Sequence, residues 1–581
     1  MGEMLRLADN PLFLKHVRSR LRRSAMLPTL ILVGFLCCCL LFVDLWFRFM
    51  SAPPNPNLYP FCYFILVGMQ GLILYILGGS QVSSSVAYVK DSGILDYHRI
   101  TPIPARVQAI GFILGAPIRE YILFIITLPF SFALAMLSDV GISGFSKIFL
   151  VMVGATVLNH TIAFLVGLSA KTSRAATGRY FGILAMIWFG TNAISGMALM
   201  NAEQYHGPTL ISPYPVVREV INEVLFKNAP AANVPPPNNF VKPQPAQNKG
   251  AAVKQNPFGA PVQPGFNPNA NPLFFANKAE PKLFGIEIPL VLQTLLAQGT
   301  LLTFLFIGAT RRIHSARISI FSKLEAVAFF GAVNLFAIAT LWKIPVEGLV
   351  IANVYGLMIL AIVMIGLCTQ TRGELMRGYQ RALKQGRKVP RTFDDLASNH
   401  GAILSIGAIL GAFAIFHYNL MAGVQVAAQA PRVESYVYGF AVALGAIVSV
   451  GFLIQYCKLR YPKRWSHRLG FFMFFIWFAP MLLALISSVI GNGNSAISQM
   501  FLALSPIVSL PMVILIDRVG AAVNMGTEEF RAIAIGAVFF ESILFLLISV
   551  RAERRLRSEA LSEHEEDHRQ LNDPEYEVEL D

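Results

Sequence analysis

The sequence predicts an all-α, polytopic membrane protein with about twelve transmembrane helices, and three observations carry this prediction. Hydrophobic residues make up 55% of the 581-residue chain and charged residues only 14%, whereas roughly a quarter of an ordinary globular chain is charged. The mean hydropathy is +0.56. The apolar residues are concentrated in runs of about 20, the length that crosses a bilayer as a helix with its backbone hydrogen bonds satisfied. A disordered protein, a collagen and a conventional cytosolic enzyme are excluded.

Twelve runs are apolar and long enough to span a membrane. In chain order they are 27–47, 58–79, 110–137, 146–168, 180–200, 286–309, 324–343, 348–368, 401–421, 435–456, 469–490 and 530–550. Within the third run, Gly111 and Gly115 predict close packing against another span. A further apolar run, 497–516, is interpreted as re-entrant or interfacial, because a thirteenth full span would place the arginine cluster that follows 550 on the wrong side.

The distribution of basic residues gives the orientation. Seven segments that alternate with the spans carry 33 of the 47 lysines and arginines: 1–26, 80–106, 169–179, 310–323, 369–400, 457–468 and the tail from 551. Cytoplasmic loops of membrane proteins carry such an excess. We therefore predict a multi-pass protein of a bacterial plasma membrane with both termini in the cytoplasm. The net charge of +14 then reflects the orientation of the chain in the membrane, where the basic loops lie next to lipid. No nucleic-acid partner is expected.

The two halves of the chain resemble repeats. Arg179 precedes Trp188 by nine residues in the first half, and Arg468 precedes Trp477 by nine in the second. An apolar-Ser-Pro triplet then follows in each half. Repeated halves are common in transporters, and chance similarity between apolar segments is the alternative. The predicted divisions are an N-terminal segment 1–26, two six-span modules 27–316 and 317–550, and a charged tail 551–581.

Three segments outside the spans have their own patterns. Residues 9–23 predict an amphipathic helix on the inner membrane surface, capped by Asp9 or Asn10 with Pro11 in its first turn. The loop 226–284 is rich in proline and asparagine, which predicts disorder on the outer face; it is either a tether for an extracytoplasmic partner or a tolerated spacer. The acidic tail is expected to be solvated and disordered.

The segment after the second span carries a family resemblance. Residues 91–104 read Asp-Ser-Gly-Ile-Leu-Asp-Tyr-His-Arg-Ile-Thr-Pro-Ile-Pro, and this stretch resembles the corresponding part of type-two ATP-binding-cassette (ABC) permeases, the membrane halves of many exporters. The opening at 10–15 and the Ser-Pro element after the fifth span are also similar to that family. The resemblance implies a permease that moves an unidentified substrate and is powered by a separate cytoplasmic ATPase, in two copies. ATP is then bound on that partner, and this chain binds no cofactor.

In such permeases the stretch includes a coupling helix that presses on the ATPase. The resemblance assigns this contact to Gly93, Leu95, Arg99, Thr101 and Pro102 in the first half and to Gly373, Leu375 and Arg381 in the second, which lacks Thr-Pro and has an apparent insertion at 383–395. Independently of the family, Pro102 and Pro104 restrict the backbone, and Arg99 and Arg106 supply charge for an acidic groove. The alternative is an ordinary basic loop of a membrane protein.

No enzyme motif stands out, since the sequence has neither a GxxxxGK[ST] phosphate loop nor an HExxH pattern. We therefore expect a transport subunit without its own ATPase domain, catalytic residues or metal site. Arg119, Glu120 and Glu541 are polar residues inside spans, where charge is costly. Glu541 is interpreted as a substrate or proton site in the pathway, or as a structural group. Arg119 and Glu120 point about 100° apart, which makes a direct pair awkward and predicts that each has partners on other spans.

Two rival functions stay open. One is an ion-gradient-driven secondary transporter that uses Glu120 or Glu541 as its coupling carboxylate. The other is a non-transporting scaffold that anchors extracytoplasmic partners through the loop 226–284.

Overall fold

The structure, a computed structural model of the chain, describes residues 10–571 apart from 51–58, 102, 186, 188–209, 229–281, 315–318, 341–346, 388, 423–432, 491–495 and 520–524. Among the described residues, ten helices are long and apolar enough to cross a membrane, or up to twelve if each of two bent helix pairs is one span. The predicted all-α, polytopic membrane architecture is confirmed at this level. Most of the predicted span 180–200 and of the loop 226–284 lies outside the described residues.

The first half begins with nine helices in the part of the chain that is described up to residue 187. They are α1 (Pro11–Arg20), α2 (Arg23–Met50), α3 (Tyr59–Gly71), α4 (Gly79–Asp91), α5 (Ile94–Ile100), α6 (Ala105–Gly115), α7 (Ile118–Leu137), α8 (Gly141–Ser169) and α9 (Ser173–Ala185). A π-helical segment, Leu72–Gly78, joins α3 to α4. Further along come α10 (Tyr214–Asn228), an antiparallel hairpin of β1 (Lys282–Leu283) and β2 (Ile286–Glu287), and α11 (Leu290–His314).

The second half continues with ten helices in its described part. They are α12 (Lys323–Thr340), α13 (Glu347–Cys368), α14 (Arg372–Lys384), α15 (His400–Ala422), α16 (Val433–Arg460), α17 (Trp465–Met473), α18 (Ala479–Ile490), α19 (Ala496–Leu504), α20 (Pro506–Val519) and α21 (Thr527–Leu571). A second π-helical segment, Phe474–Phe478, joins α17 and α18 into one span.

The predicted third span, 110–137, is divided in the structure. Pro117 has no amide hydrogen to donate to the preceding turn, so the helix cannot continue unchanged through it. α6 ends at Gly115 and α7 begins at Ile118. Of the two, α7 alone has the length of a span, and α6 is a short apolar helix.

Two segments that the sequence predicts to be disordered are partly ordered in the structure. The loop 226–284 is ordered up to the end of α10 and again from β1, and the N–H of Phe284 donates to the Ala339 carbonyl at 2.9 Å. The tail stays helical from 551 to the end of α21. Leu556 and Ala560, four residues apart on that helix, are buried in one cluster, and this apolar stripe stabilises the helix despite the charges around it.

The basic segments meet at one end of the helix bundle, which we call the basic end. Hydrogen bonds and ion pairs connect them to one another. The connecting pairs are Arg20 with Ser85, Lys90 with Ala170, Arg99 with Ile313, Arg311 with Asp395, Lys458 with Thr369 and Arg372 with Glu559. At the other end of the bundle, Lys147 pairs with Glu219 at 3.3 Å and with Glu223 at 3.1 Å.

The spans of each half pack on one another in the same pattern. The first span contacts the second and third, and the fourth contacts the second, third and sixth. The first, second, third, fourth and sixth spans are α2, α3–α4, α7, α8 and α11 in one half, and α12, α13, α15, α16 and α21 in the other. The fourth span is the centre of each half: the apolar windows of α8 and α16 are 67% and 72% buried, against at most 50% for the other eight described helices that span as single helices.

The N-terminal helix α1 is capped and docked by Asn10. Its Oδ1 accepts hydrogen bonds from the N–H groups of Leu12 (3.0 Å) and Phe13 (3.3 Å), which confirms the predicted cap. Its Nδ2 donates to the Val107 carbonyl of α6 at 2.8 Å. One side chain therefore begins α1 and attaches it to α6.

Helix α1 packs on α6 at Gly111 and Gly115, where the lack of a side chain leaves room for it. A Cβ atom at Gly111 would lie 2.9 Å from the Cβ of Leu12, and one at Gly115 would lie 3.2 Å from the Cα of Phe13. Burial in this contact lowers the pKa of His16 to about 4, so its ring is neutral near pH 7. The close approach predicted for a pair of spans is therefore an approach of α1 to α6.

Replacing Gly111 by alanine is expected to displace α1. Overpacking costs about 1–3 kcal/mol, which exceeds the ~0.5–1 kcal/mol that alanine gains over glycine within a helix. Gly68→Ala is the matched control, because nothing lies within 4 Å of the Cβ position there. Thermal unfolding and trypsin cleavage of α1 measure the effect. Equal stability and equal protection of α1 in the two variants would contradict the docked arrangement.

Candidate functional site

The first predicted coupling segment is a sharp turn followed by the short helix α5. Gly93, between α4 and α5, has a φ of +74°, a left-handed conformation that favours glycine. Leu95 is buried in the same cluster as Ile313 of α11. Thr101 ends α5, where its hydroxyl donates to the His98 carbonyl at 2.7 Å. Pro102 lies outside the described residues.

The guanidinium of Arg99 is bonded within the chain. Its Nε donates to the Ile313 carbonyl at 2.8 Å, and it forms an ion pair with Asp96. Ile313 lies in the last turn of α11, whose carbonyls have no partner inside the helix. Arg99 therefore fixes α5 to the end of α11, and its predicted insertion into an acidic groove would require this bond to open.

The outward face of α5 consists of Tyr97 and Ile100. These side chains are 64% and 80% exposed, and residues three apart share a face of a helix. The resemblance did not include them among the coupling residues. The signal in the sequence was an apolar pair at i, i+3 in a loop between spans. Large apolar side chains exposed together mark surfaces that contact a partner or a membrane.

The second predicted coupling segment forms the amphipathic helix α14. It begins with a capping box, in which the carboxylate of Glu374 accepts hydrogen bonds from the N–H (2.8 Å) and hydroxyl (2.9 Å) of Thr371. Leu375 is fully buried, whereas Gly373 and Arg381 are exposed. As in the first segment, the predicted leucine belongs to the interior and does not face a partner.

Three polar contacts hold α14 on the extension of α21 beyond residue 550, and in one of them Nε2 of Gln380 donates to Oε2 of Glu563 at 2.9 Å. Arg372 pairs with Glu559 at 2.5 Å, and the hydroxyl of Tyr379 donates to Oε1 of Glu553 at 2.5 Å. The two coupling segments are therefore arranged alike: α5 docks on α11 and α14 docks on α21, in each case on the last described span of its own half.

Glu553 also belongs to a chain of bonds with the geometry of a hydrolase triad. Nδ1 of His400 lies 3.0 Å from Oε2 of Glu553, and its Nε2 lies 2.9 Å from the hydroxyl oxygen of Ser549. Ser549, however, is fully buried, so a substrate carbonyl cannot reach its hydroxyl in this structure. The bonds instead connect α15, α21 and α14.

In each half, a lysine side chain joins the second span to the fourth span at the basic end. In the first half, Lys90 on α4 donates to the carbonyls of Leu168 (2.8 Å) and Ala170 (2.9 Å) at the end of α8. In the second half, Lys458 at the end of α16 donates to the carbonyls of Gly366 (2.7 Å) and Thr369 (2.6 Å) at the end of α13. The same two spans are joined in both halves, with donor and acceptor exchanged.

The polar residues predicted inside spans have different surroundings. Arg119 and Glu120 form a direct ion pair at 2.8 Å, so the expectation of no direct pair is wrong: the long arginine side chain reaches across the helix surface to its neighbour. Glu541 on α21 has no ion pair among the described residues, and its Oε2 is buried without a hydrogen-bond partner. The structure does not bring Glu541 together with the coupling segments.

Shortening Leu375 to alanine is expected to loosen α14 from α21. Leucine-to-alanine changes in a core cost about 2–5 kcal/mol. Arg381→Ala is the control on the same helix, because an exposed side chain there contributes within about 0.5 kcal/mol. Hydrogen exchange of the amides in α14 measures the loosening. If exchange in the Leu375→Ala variant is as slow as in the control, α14 is not held by this contact.

The described part of the chain contains no group of three or more His, Cys, Asp or Glu residues placed to hold a metal ion, and its cysteines are free thiols. Comparison of the chain with known protein families, with curated proteins and with solved structures finds no match.

Proposed function

We propose that the chain is the membrane-spanning subunit of an ABC transporter and that a separate ATPase, in two copies, docks at the basic end. The basic end is then the cytoplasmic side of a bacterial plasma membrane, in agreement with the lysine and arginine bias. ATP is bound and hydrolysed on the partner. An unidentified substrate passes between the two halves, across or out of the membrane. The resemblance of residues 91–104 to type-two permeases supports the proposal.

The packing of the two halves supports two six-span modules, 27–316 and 317–550. The same pairs of spans are in contact in each half. A lysine joins the second and fourth spans in each half, and each coupling segment docks on the last span of its own half. Such a duplicated arrangement provides two equivalent places for an ATPase, one beneath each module.

The geometry of α19 and α20 supports a re-entrant segment in the second module. The two helices are bent by 113° around Ser505, whose hydroxyl donates to the Trp477 carbonyl at 2.6 Å, halfway along the fifth span. Ile514, further along α20, lies against Gly439, near the start of α16 and away from the basic end. We infer that the chain enters the bilayer here and returns to the same side, which leaves α21 to end at the basic end.

The observation that carries the proposed ATPase contact is the exposed apolar face of α5. Tyr97 and Ile100 lie on a helix that Arg99 holds at the basic end. The second half has a comparable pair after α14, where Val389 and Phe393 are 46% and 44% exposed. Burial of large apolar side chains against a partner is the usual source of binding energy at such contacts.

Because α5 and α14 are attached to the last spans, the docked partner would act on those spans directly. A displacement of α5 is passed to α11 through Arg99 and Leu95. A displacement of α14 is passed to α21 through Leu375, Tyr379 and the ion pair of Arg372. Closure of two ATPase copies would then move the two modules relative to each other and open a path for the substrate.

Replacing both Tyr97 and Ile100 by alanine is expected to abolish co-purification with an ATPase subunit while the protein stays folded. Truncation of such anchors typically costs about 2 kcal/mol or more, which is ~30-fold in affinity. Tyr88→Ala is the matched control, because Tyr88 on α4 is also 64% exposed. The measurement is ATPase recovered with the purified protein in mild detergent. Failure of the wild-type chain to bring down any ATPase would refute the proposal.

Glu541 favours a second candidate, a secondary transporter driven by an ion gradient. A carboxyl without an ion pair inside a span is a feature of proton-coupled carriers, whereas Glu120 is already paired with Arg119. This function predicts that reconstituted protein takes up its substrate without ATP, that uptake collapses with the proton gradient, and that Glu541→Gln abolishes it. ATP-dependent uptake that survives Glu541→Gln would exclude this candidate.

A further inference from the structure

A concave cleft lies at the basic end between α14, α16 and the extension of α21. Its volume is about 470 Å³, within the range of sites that hold small molecules or headgroups. Four arginines line it: Arg372, Arg460, Arg551 and Arg555. The predicted coupling contacts and the Ser-Pro elements do not explain why four arginines lie around one cleft.

Among the described residues, the positive charge of the cleft is largely uncompensated. Glu559 is the acidic residue in its lining, and it is paired with Arg372 at 2.5 Å. Arg460, Arg551 and Arg555 have no hydrogen bond or ion pair from their side chains to another described residue, and all three are exposed. Three guanidinium groups directed to one concavity repel one another unless an anion lies between them.

The other face of the cleft is apolar and lies at the depth of the membrane boundary. Tyr456, Leu459 and Ile548 line it beside the arginines. The apolar part of α21 ends at residue 550, and Leu547 on its outer surface is 62% exposed. The cleft therefore combines guanidinium groups with apolar side chains: Tyr456 and Ile548 lie toward the membrane side, and Ala552 and Leu556 lie among the arginines. This combination suits an amphipathic anion such as a phospholipid.

We propose that this cleft binds the phosphate headgroup of an anionic phospholipid from the leaflet at the basic end. Arg551 and Arg555, four residues apart and on one face of α21, donate to the phosphate oxygens, and Arg460 approaches from α16. The acyl chains continue along Ile548 and the exposed outer surface of α21. A free phosphate would satisfy the arginines but would leave the apolar wall in water, so the amphipathic lipid is the better fit.

Occupancy of the cleft has a structural consequence. Arg460 belongs to α16, and Arg551 and Arg555 belong to α21, so a phosphate held by these three arginines joins α16 to α21. Arg372 of α14 keeps its ion pair with Glu559 beside the site. This inference does not require the ATPase, because it rests only on the charge, shape and depth of the cleft.

The test uses the purified full-length chain with vesicles of phosphatidylglycerol or of phosphatidylcholine. We expect the wild-type protein to retain phosphatidylglycerol through purification, measured by native mass spectrometry, and to bind it at least about tenfold more tightly than phosphatidylcholine. The Arg551→Gln/Arg555→Gln variant is expected to lose this preference. The control is Arg464→Gln/Arg554→Gln, which removes the same charge from exposed positions outside the cleft.

Four outcomes would overturn the proposal. The first is equal binding of the two lipids by the wild-type protein. The second is equal loss of phosphatidylglycerol in the cleft variant and in the charge-matched control, which would indicate general surface attraction only. The third is competition by inorganic phosphate at concentrations as low as those of the lipid, which would identify a site for a soluble anion. A cleft variant that keeps its lipid and loses a co-purifying ATPase would show that the arginines serve a protein partner instead.

Discussion

Cationic side chains that donate to the carbonyl ends of neighbouring helices hold the basic end together. Lys90, Arg99 and Lys458 each bond to carbonyl groups at the end of another helix. The last carbonyls of a helix have no partner within it, and near the membrane boundary water is a scarce substitute. A cation there also lies at the negative end of the helix dipole. The basic residues that orient the chain therefore also build the surface on which α5, α14 and the cleft depend.

The spans could be predicted from hydropathy and charge because the bilayer imposes both requirements on each segment separately, whatever that segment packs against. The helix boundaries departed from the prediction where tertiary contacts decide. Pro117 carried a readable signal that the third span would break, whereas the docking of α1 on Gly111 depends on a segment about a hundred residues away. The tail was misjudged because its charges are conspicuous, while Leu556 and Ala560 are stabilised by a helix from another loop.

The predicted coupling residues illustrate a second limit of the sequence. Residues 93–101 do form a turn and a short helix at the basic end. A seven-residue helix, however, has too little periodicity to show which face is buried, so Leu95 and Arg99 were chosen although one is interior and the other bonded to α11. The free face belongs to Tyr97 and Ile100. The apolar pair at i, i+3 was the signal for the free face, and the position of α11 shows which face is buried.

The length of α21 has a mechanical consequence. At 1.5 Å per residue, the part of the helix beyond residue 550, where its apolar run ends, is about 30 Å long. A rotation of ten degrees within the membrane would move the tip of such an arm by about 5 Å, whereas the side chains inside the bundle would shift by much less. A small rearrangement of the spans therefore produces a larger displacement at the tip of α21, which a soluble protein can detect. A force applied to the tip is in turn transmitted to the spans through a long lever arm.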